Sequence, residues 1–130
     1  MNTCQFKVDM SKEDVEHMRK MLELYEGMSY QGLRFIVAIT ASGLVGLYAL
    51  DVEMHKNLLR FIREEAYEVL GGGFLIEKEG KMTLTGSSIQ YGSVSSNVLA
   101  RFKEELEEIF EMEVVIDTSV KKEQDEKCSI

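Results

Sequence analysis

Two histidines, His17 and His55, are the side chains in this sequence best suited to proton transfer or phosphoryl acceptance near neutral pH. His17 lies off the apolar stripe of a predicted helix, so a solvated surface role is its simpler interpretation. His55 follows a predicted strand and falls in the first turns of the next predicted helix, where backbone N–H groups and the helix dipole favour an anion. The position of His55 is also compatible with a purely structural histidine.

A second candidate is the segment from Gly86 to Ser96, with the sequence GSSIQYGSVSS. A glycine-bounded loop that carries hydroxyl groups and leads into a helix can present backbone N–H groups to a phosphate. The spacing differs from that of the P-loop and from that of the dinucleotide-binding fingerprint. The alternative is structural: Ser93, Ser95 or Ser96 caps the helix and the glycines form the turn.

Other reactive patterns are weaker. The triple glycine at 71–73 is predicted to end a helix and to turn the backbone into a strand, without a phosphate-binding role. Isolated histidines and remote cysteines, with no H-x-x-x-H or C-x-x-C spacing, predict no metal site and no cofactor. The sequence has no G-x-S-x-G motif, which argues against a serine hydrolase.

The composition is that of one globular domain, with 130 residues, 45% hydrophobic and 29% charged. The 15 Lys and Arg residues against 23 Asp and Glu give a net charge of −8, which disfavours nucleic acid and anionic membrane as partners. No apolar signal core and no membrane-spanning run is visible, so a soluble cytoplasmic protein is predicted. Cys4 and Cys128 are interpreted as reduced thiols, in keeping with that compartment.

The elements that must position these residues follow from hydrophobic periodicity. Alternation from Cys4 to Met10 predicts a strand, after which Ser11 opens a helix that Gly27 ends. The apolar run at 33–40, LRFIVAIT, predicts an interior strand, and 44–50 returns as a second strand. Asp51 is predicted to cap a helix that ends at the triple glycine. That helix is expected to bury the apolar residues Leu58, Leu59, Ile62, Ala66 and Val69.

The second half of the sequence predicts a hairpin of residues 74–78 and 81–85 around Glu79-Gly80, followed by the polar loop 86–92. A single amphipathic helix should then reach Glu111, and a last strand should occupy 112–116. The predicted order is β-α-β-β-α-β-β-α-β. This order describes a single α+β domain over residues 1–118, with helices packed on a mixed sheet, and a charged, flexible tail at 119–130.

Read together, four segments resemble the Janus/Ocnus family of small phosphohistidine phosphatases over about residues 33–118. LRFIVAIT resembles the first core strand of that family, with its basic residue at Arg34, and LVGLYALDVEMH resembles the strand that leads into the catalytic histidine, here His55. LGGG at 70–73 matches the family motif that follows the first long helix. GSSIQYG matches the G-x-S-x-x-Y-G phosphate loop and places Ser88 to Gln90 at the phosphate-contacting positions.

The resemblance implies a metal-independent phosphatase that acts on a phosphorylated protein or a small phosphoramidate. Neutral His55 would attack the phosphoryl group or activate a water. The N–H groups of Ser88, Ile89 and Gln90, with the Ser88 hydroxyl, would hold the phosphoryl oxygens, and Arg34 would supply positive charge.

The sequence also departs from the family pattern. Phe74 stands where the family has a phosphate-binding arginine, the helix after His55 is several residues shorter, and residues 1–30 have no counterpart. Two alternatives therefore stay open: a non-catalytic binding module of the same fold, and a small acidic interaction or inhibitor protein. The second alternative draws on the net charge and on the acidic helix from Glu104 to Glu113.

Overall fold

The computed structural model describes residues 4–24 and 33–117, and in them a six-stranded mixed sheet carries helices on both faces. The strands are β1 (Gln5–Val8), β2 (Leu33–Thr40), β3 (Leu44–Asp51), β4 (Tyr67–Lys78), β5 (Lys81–Thr85) and β6 (Val114–Ile116). The helices are α1 (Lys12–Leu24), a 3₁₀ helix (His55–Phe61), α2 (Ser96–Ala100) and α3 (Lys103–Phe110). The sheet order is β1-β3-β2-β4-β5-β6, with parallel pairing only at its two edges. The predicted α+β fold on a mixed sheet is confirmed.

Strand β2 is buried on both faces, which explains its continuous apolar run. Phe35 and Val37 point into the main core beneath α1, α2 and α3. Ile36 and Ala38 point the other way, into a smaller cluster that the 3₁₀ helix covers with Leu58 and Ile62. The sheet is therefore sandwiched at its centre, and β2 is the strand that both clusters share.

Local signals placed several elements correctly. The Ser11 hydroxyl accepts a hydrogen bond from the Asp14 N–H at 3.1 Å, as expected of an N-cap. The turn between β4 and β5 has φ 54° at Glu79 and 77° at Gly80, the positive values of a two-residue hairpin loop. The predicted stop at Gly27 and the predicted tail at 119–130 lie outside the described residues.

The long helix predicted from Asp51 to the triple glycine is wrong. The 3₁₀ helix has only 7 residues, and β4 begins at Tyr67 and runs through all three glycines. Asp51 caps no helix, because it is the last residue of β3 and pairs with Leu33. The apolar spacing suited a helix locally, but Tyr67 pairs with Thr40 of β2, and this sheet pairing overrides the local preference.

The triple glycine lies in the middle of the sheet because neighbouring backbone occupies the space that a Cβ would need. At Gly71 a Cβ would come 2.6 Å from the Ser93 carbonyl oxygen. At Gly72 it would come 2.6 Å from the Phe35 carbonyl oxygen, and at Gly73 it would come 2.5 Å from the Thr85 carbonyl oxygen. The predicted role as a helix stop is therefore wrong. These glycines allow β2, β5 and the segment after the 86–92 loop to approach β4 closely.

The prediction of a single helix up to Glu111 is also wrong, since α2 and α3 are separated at Arg101 and Phe102. Neither residue is a glycine or a proline, so the local sequence contains no signal for the break. At the break, the Arg101 guanidinium carbon lies 4.1 Å from the Phe6 ring centroid, and the buried Phe102 ring meets Phe6 edge-on at 5.5 Å. Contacts with β1 thus accompany the interruption.

Two further expectations concern the chain as a whole. Cys4 forms a disulfide bond in the structure, so the interpretation of a reduced thiol is wrong at this position. Within residues 4–24 and 33–117, no helix is long and apolar enough to cross a membrane.

Replacing Gly73 with alanine should lower the free energy of unfolding by about 1–3 kcal/mol, because the new methyl group would meet both the Thr85 carbonyl and the Phe35 ring. Urea denaturation monitored by circular dichroism measures the loss. Gly80→Asn is the matched control, since nothing lies within 4 Å of its Cβ and asparagine tolerates a positive φ. Equal losses in the two variants would contradict the packing role of Gly73.

Candidate functional site

All five residues singled out for phosphate chemistry line one open cavity of about 300 Å³. They come from the start of β2, the start of the 3₁₀ helix and the loop before α2, and they are Arg34, His55, Ser88, Ile89 and Gln90. Segments as far apart in the sequence as Arg34 and Gln90 therefore meet at one point of the fold. Glu53, Met54, Phe74 and Ser87 complete the lining.

Sheet pairing places Arg34 beside Phe74, because the two residues are partners in the β2–β4 register. The Arg34 guanidinium carbon lies 5.4 Å from the Phe74 ring centroid, within the range of a cation–π contact. One Arg34 nitrogen, Nη1, donates a hydrogen bond to the Val52 carbonyl. Because this anchors one edge of the guanidinium, its other N–H groups can face an anion in the cavity.

His55 is buried, with 8% of its surface exposed, and its ring is held from two sides. Its Nε2 lies 2.9 Å from the Gly73 carbonyl oxygen, which can only accept, so Nε2 carries the proton and Nδ1 carries the lone pair. The Phe74 ring packs edge-on against the imidazole at 5.2 Å. A Cβ at Gly72 would come 2.9 Å from Cδ2 of His55, so the bare glycine leaves room for the ring.

Burial lowers the pKa of His55 below its usual 6.5, and the positive charge of Arg34 lowers it further; the hydrogen bond with Gly73 offsets only part of this effect. At neutral pH the imidazole is therefore uncharged. An uncharged imidazole with a free Nδ1 lone pair can act as a nucleophile or as a general base.

The prediction that the dipole of a long helix acts at His55 is wrong. His55 opens a 3₁₀ helix of 7 residues, not the long α-helix expected from the sequence, so no extended array of peptide dipoles ends at the site. Arg34 is the one cationic side chain among the residues that line the cavity in the described part of the chain. The positive potential at this site thus comes from a guanidinium.

The loop before α2 is braced by its own hydrogen bonds. Ser88 N–H donates to the Gly92 carbonyl at 3.1 Å, and Gly92 N–H donates back to the Ser88 carbonyl at 2.8 Å. The buried Ser88 hydroxyl accepts hydrogen bonds from the N–H groups of Gln90 and Tyr91 at 3.2 and 3.1 Å. Gly72 N–H donates to the Gly92 carbonyl at 2.9 Å and ties the loop to β4.

These bonds change the set of groups that a ligand could use. The resemblance implied three N–H donors, but those of Ser88 and Gln90 are engaged inside the loop. Within the described residues, the Ile89 N–H has no hydrogen-bond acceptor, and the Ser88 hydroxyl hydrogen is free to donate once its oxygen has accepted two bonds. The structural alternative is confirmed at Ser95, whose hydroxyl caps α2 by accepting from the Val98 N–H at 3.3 Å.

His17 is outside this site. It lies on α1, is about half exposed, and places Nε2 2.9 Å from a carboxylate oxygen of Asp51. The sequence prediction missed Glu53 and Met54, which line the cavity next to His55. Their adjacency to the histidine in the sequence was the available signal. Over residues 4–24 and 33–117, no group of three or more His, Cys, Asp or Glu side chains is arranged to hold a metal ion.

No protein-family model matches this sequence, and a search of curated proteins gives no significant match. The resemblance to the Janus/Ocnus family therefore stays a prediction that rests on the four segments quoted above, three of which contribute residues to one cavity.

The lowered pKa of His55 predicts how stability depends on pH. The unfolded chain, with the ordinary pKa of 6.5, takes up a proton before the folded protein does. The stabilisation associated with neutral His55 is therefore complete above about pH 6.5 and is lost as the pH falls toward the lowered folded value. Urea denaturation between about pH 7.5 and 5.5 should show a steeper loss in wild type than in His55→Gln. Parallel curves for the two proteins would contradict a buried neutral imidazole.

Proposed function

We propose that this protein is a metal-independent phosphohistidine or phosphoramidate phosphatase in which His55 is the nucleophile or the general base. The observation that carries the proposal is the convergence of a neutral histidine, a guanidinium and a braced glycine-bounded loop on one cavity. Each group matches a need of phosphoryl transfer, which requires a nucleophile or base, positive charge, and fixed hydrogen-bond donors.

In the general-base route, Nδ1 of His55 takes a proton from a water whose oxygen bonds to phosphorus while the P–N bond of the substrate breaks. The proton passes from His55 to the leaving nitrogen, and inorganic phosphate is released. In the nucleophilic route, Nδ1 bonds to phosphorus first, solvent protonates the leaving nitrogen, and water then hydrolyses the phosphorylated His55. In both routes Arg34, the Ile89 N–H and the Ser88 hydroxyl hold the phosphoryl oxygens.

Release of inorganic phosphate from phosphoramidate or phosphohistidine, without added metal, tests this proposal. Wild type should turn over substrate, and His55→Ala should lose about 10²-fold or more in rate because the base or nucleophile is gone. His17→Ala is the matched control, since His17 lies on α1 outside the cavity, and it should keep wild-type turnover.

Because His55 is buried, His55→Gln is measured beside the alanine variant, and circular dichroism establishes that each variant is folded. A folded His55 variant with wild-type turnover would refute the assignment. A folded wild type without turnover on either substrate would refute the phosphatase proposal for this substrate class.

The presence of Phe74 in the site and the hydrogen bonds inside the loop favour the second candidate, a binding module of the same fold without turnover. The position of the family arginine is occupied by Phe74, whose ring contacts both His55 and Arg34, and two of the three loop N–H groups are engaged internally. Fewer donors then remain to stabilise a transferring phosphoryl group.

For this binding module, titration with inorganic phosphate should shift the Ile89 amide resonance in wild type, with no shift in Arg34→Gln, and should occur without any turnover. Nuclear magnetic resonance of the ¹⁵N-labelled protein measures the shift. Phosphate binding that survives loss of the Arg34 charge would contradict this site, because Arg34 is the cation that lines the cavity.

The third candidate, an acidic interaction protein, gains no support from α3. Two of its carboxylates are used within the fold: Glu105 accepts a hydrogen bond from the Val8 N–H at 2.9 Å, and Glu107 accepts from the Val114 N–H at 3.0 Å. The bond to Val114 and the proximity of Lys103 lower the pKa of Glu107. These carboxylates hold the two edge strands, β1 and β6, against the helix.

A further inference from the structure

Large apolar side chains are exposed at two positions beside the candidate site. Met54 is 47% exposed and Ile89 is 106% exposed, and both line the cavity. The other exposed large apolar side chains of the described residues, Leu24 and Tyr67, do not line it. Because covering such side chains releases them from water, their position at one cavity indicates a partner that contacts its rim.

Ile89 is presented by an ordered loop. The reciprocal Ser88–Gly92 hydrogen bonds and the Ser88 hydroxyl fix the backbone on both sides of it. A backbone that is held in place before binding loses little conformational freedom when a ligand covers it. The loop therefore presents Ile89 from a preorganised backbone.

The cavity has room for more than a phosphoryl group. Its volume of about 300 Å³ is at the lower end of the range that holds drug-sized ligands. Phe74 adds an apolar surface to the lining, in contact with Arg34 and with His55. A small phosphoramidate inside the cavity could not cover Ile89, whose side chain is fully in solvent. A peptide that continues beyond the cavity could cover it.

We propose that the occupant is a phosphorylated peptide segment with an apolar side chain next to the phosphoryl-bearing residue, and that Met54 selects for this neighbour. This inference rests on the proposed function in that the occupant carries a phosphoryl group. The anion pairs with Arg34, and the adjacent apolar side chain lies against Met54 and Ile89. Charge pairing with Arg34 and apolar contact with Met54 and Ile89 thus define one ligand.

Two peptides that carry a triazole phosphonate in place of phosphohistidine test the inference, one with leucine and one with glycine on both sides of that residue. Fluorescence anisotropy measures their Kd values for wild type, Met54→Ala and Leu24→Ala. Wild type should bind the leucine peptide about 3–10-fold more tightly than the glycine peptide, as expected for burial of one apolar side chain. Met54→Ala should reduce this preference to less than about 2-fold, because its rim contact is removed. Leu24→Ala, an equivalent truncation away from the cavity, should retain it.

Equal affinities of wild type for the two peptides, binding of neither, or an undiminished preference in Met54→Ala would each overturn the inference. Phosphate release from phosphoramidate by the same preparations separates it from the proposed function. A leucine preference that depends on Met54, without turnover, supports the peptide site and refutes the phosphatase. Turnover without any preference supports the phosphatase and refutes the peptide site.

Discussion

Neighbouring backbone approaches Gly71, Gly72 and Gly73 so closely that none of the three positions has room for a side chain. At these positions neighbouring carbonyl oxygens occupy the space that a Cβ would need, so β2, β5 and the segment after the 86–92 loop can approach β4 closely. The absence of a side chain at Gly72 also leaves room for the His55 ring, and the Gly73 carbonyl accepts a hydrogen bond from that ring. The core of the sheet and the orientation of the candidate catalytic residue thus share one structural cause.

The chemistry of the cavity depends on how few charges it contains. Burial and the neighbouring guanidinium keep the pKa of His55 low, which leaves an uncharged imidazole beside a single cation. Phe74 contacts both groups and makes this wall of the site apolar. Arg34 is the one cationic side chain in the described lining and Glu53 also lines it, so a highly charged polyphosphate would leave further negative charge without a cationic partner.

The edges of the sheet are stabilised by the acidic helix α3. Glu105 bonds to Val8 of β1, Glu107 bonds to Val114 of β6, and these strands are the outermost of the sheet. Two carboxylates of this acidic helix therefore satisfy backbone N–H groups that would otherwise be open at the edges. Two of the carboxylates that contribute to the net charge of −8 therefore have a structural role at the edges of the sheet.

Much of the fold could be predicted from local pattern. The apolar run of β2, the Ser11 cap and the Glu79-Gly80 turn each depend on neighbours in the sequence, and each has the predicted structure. The candidate site residues were also identified from sequence motifs. What they do is still a proposal.

Long-range pairing decided the rest. The spacing of Leu58, Ile62 and Val69 fits a helix, but Tyr67 to Val69 pairs with β2, a contact that local periodicity does not encode. The engagement of the Ser88 and Gln90 N–H groups within the loop likewise depends on tertiary geometry, as does the exposure of Met54 and Ile89 around one cavity. Motifs and short-range spacing in the sequence are enough to identify the candidate reactive residues and several of the strands and turns. Which of those residues meet, and which N–H donors are left for a ligand, follows from the fold, because both depend on backbone segments that are remote in the chain and close in space.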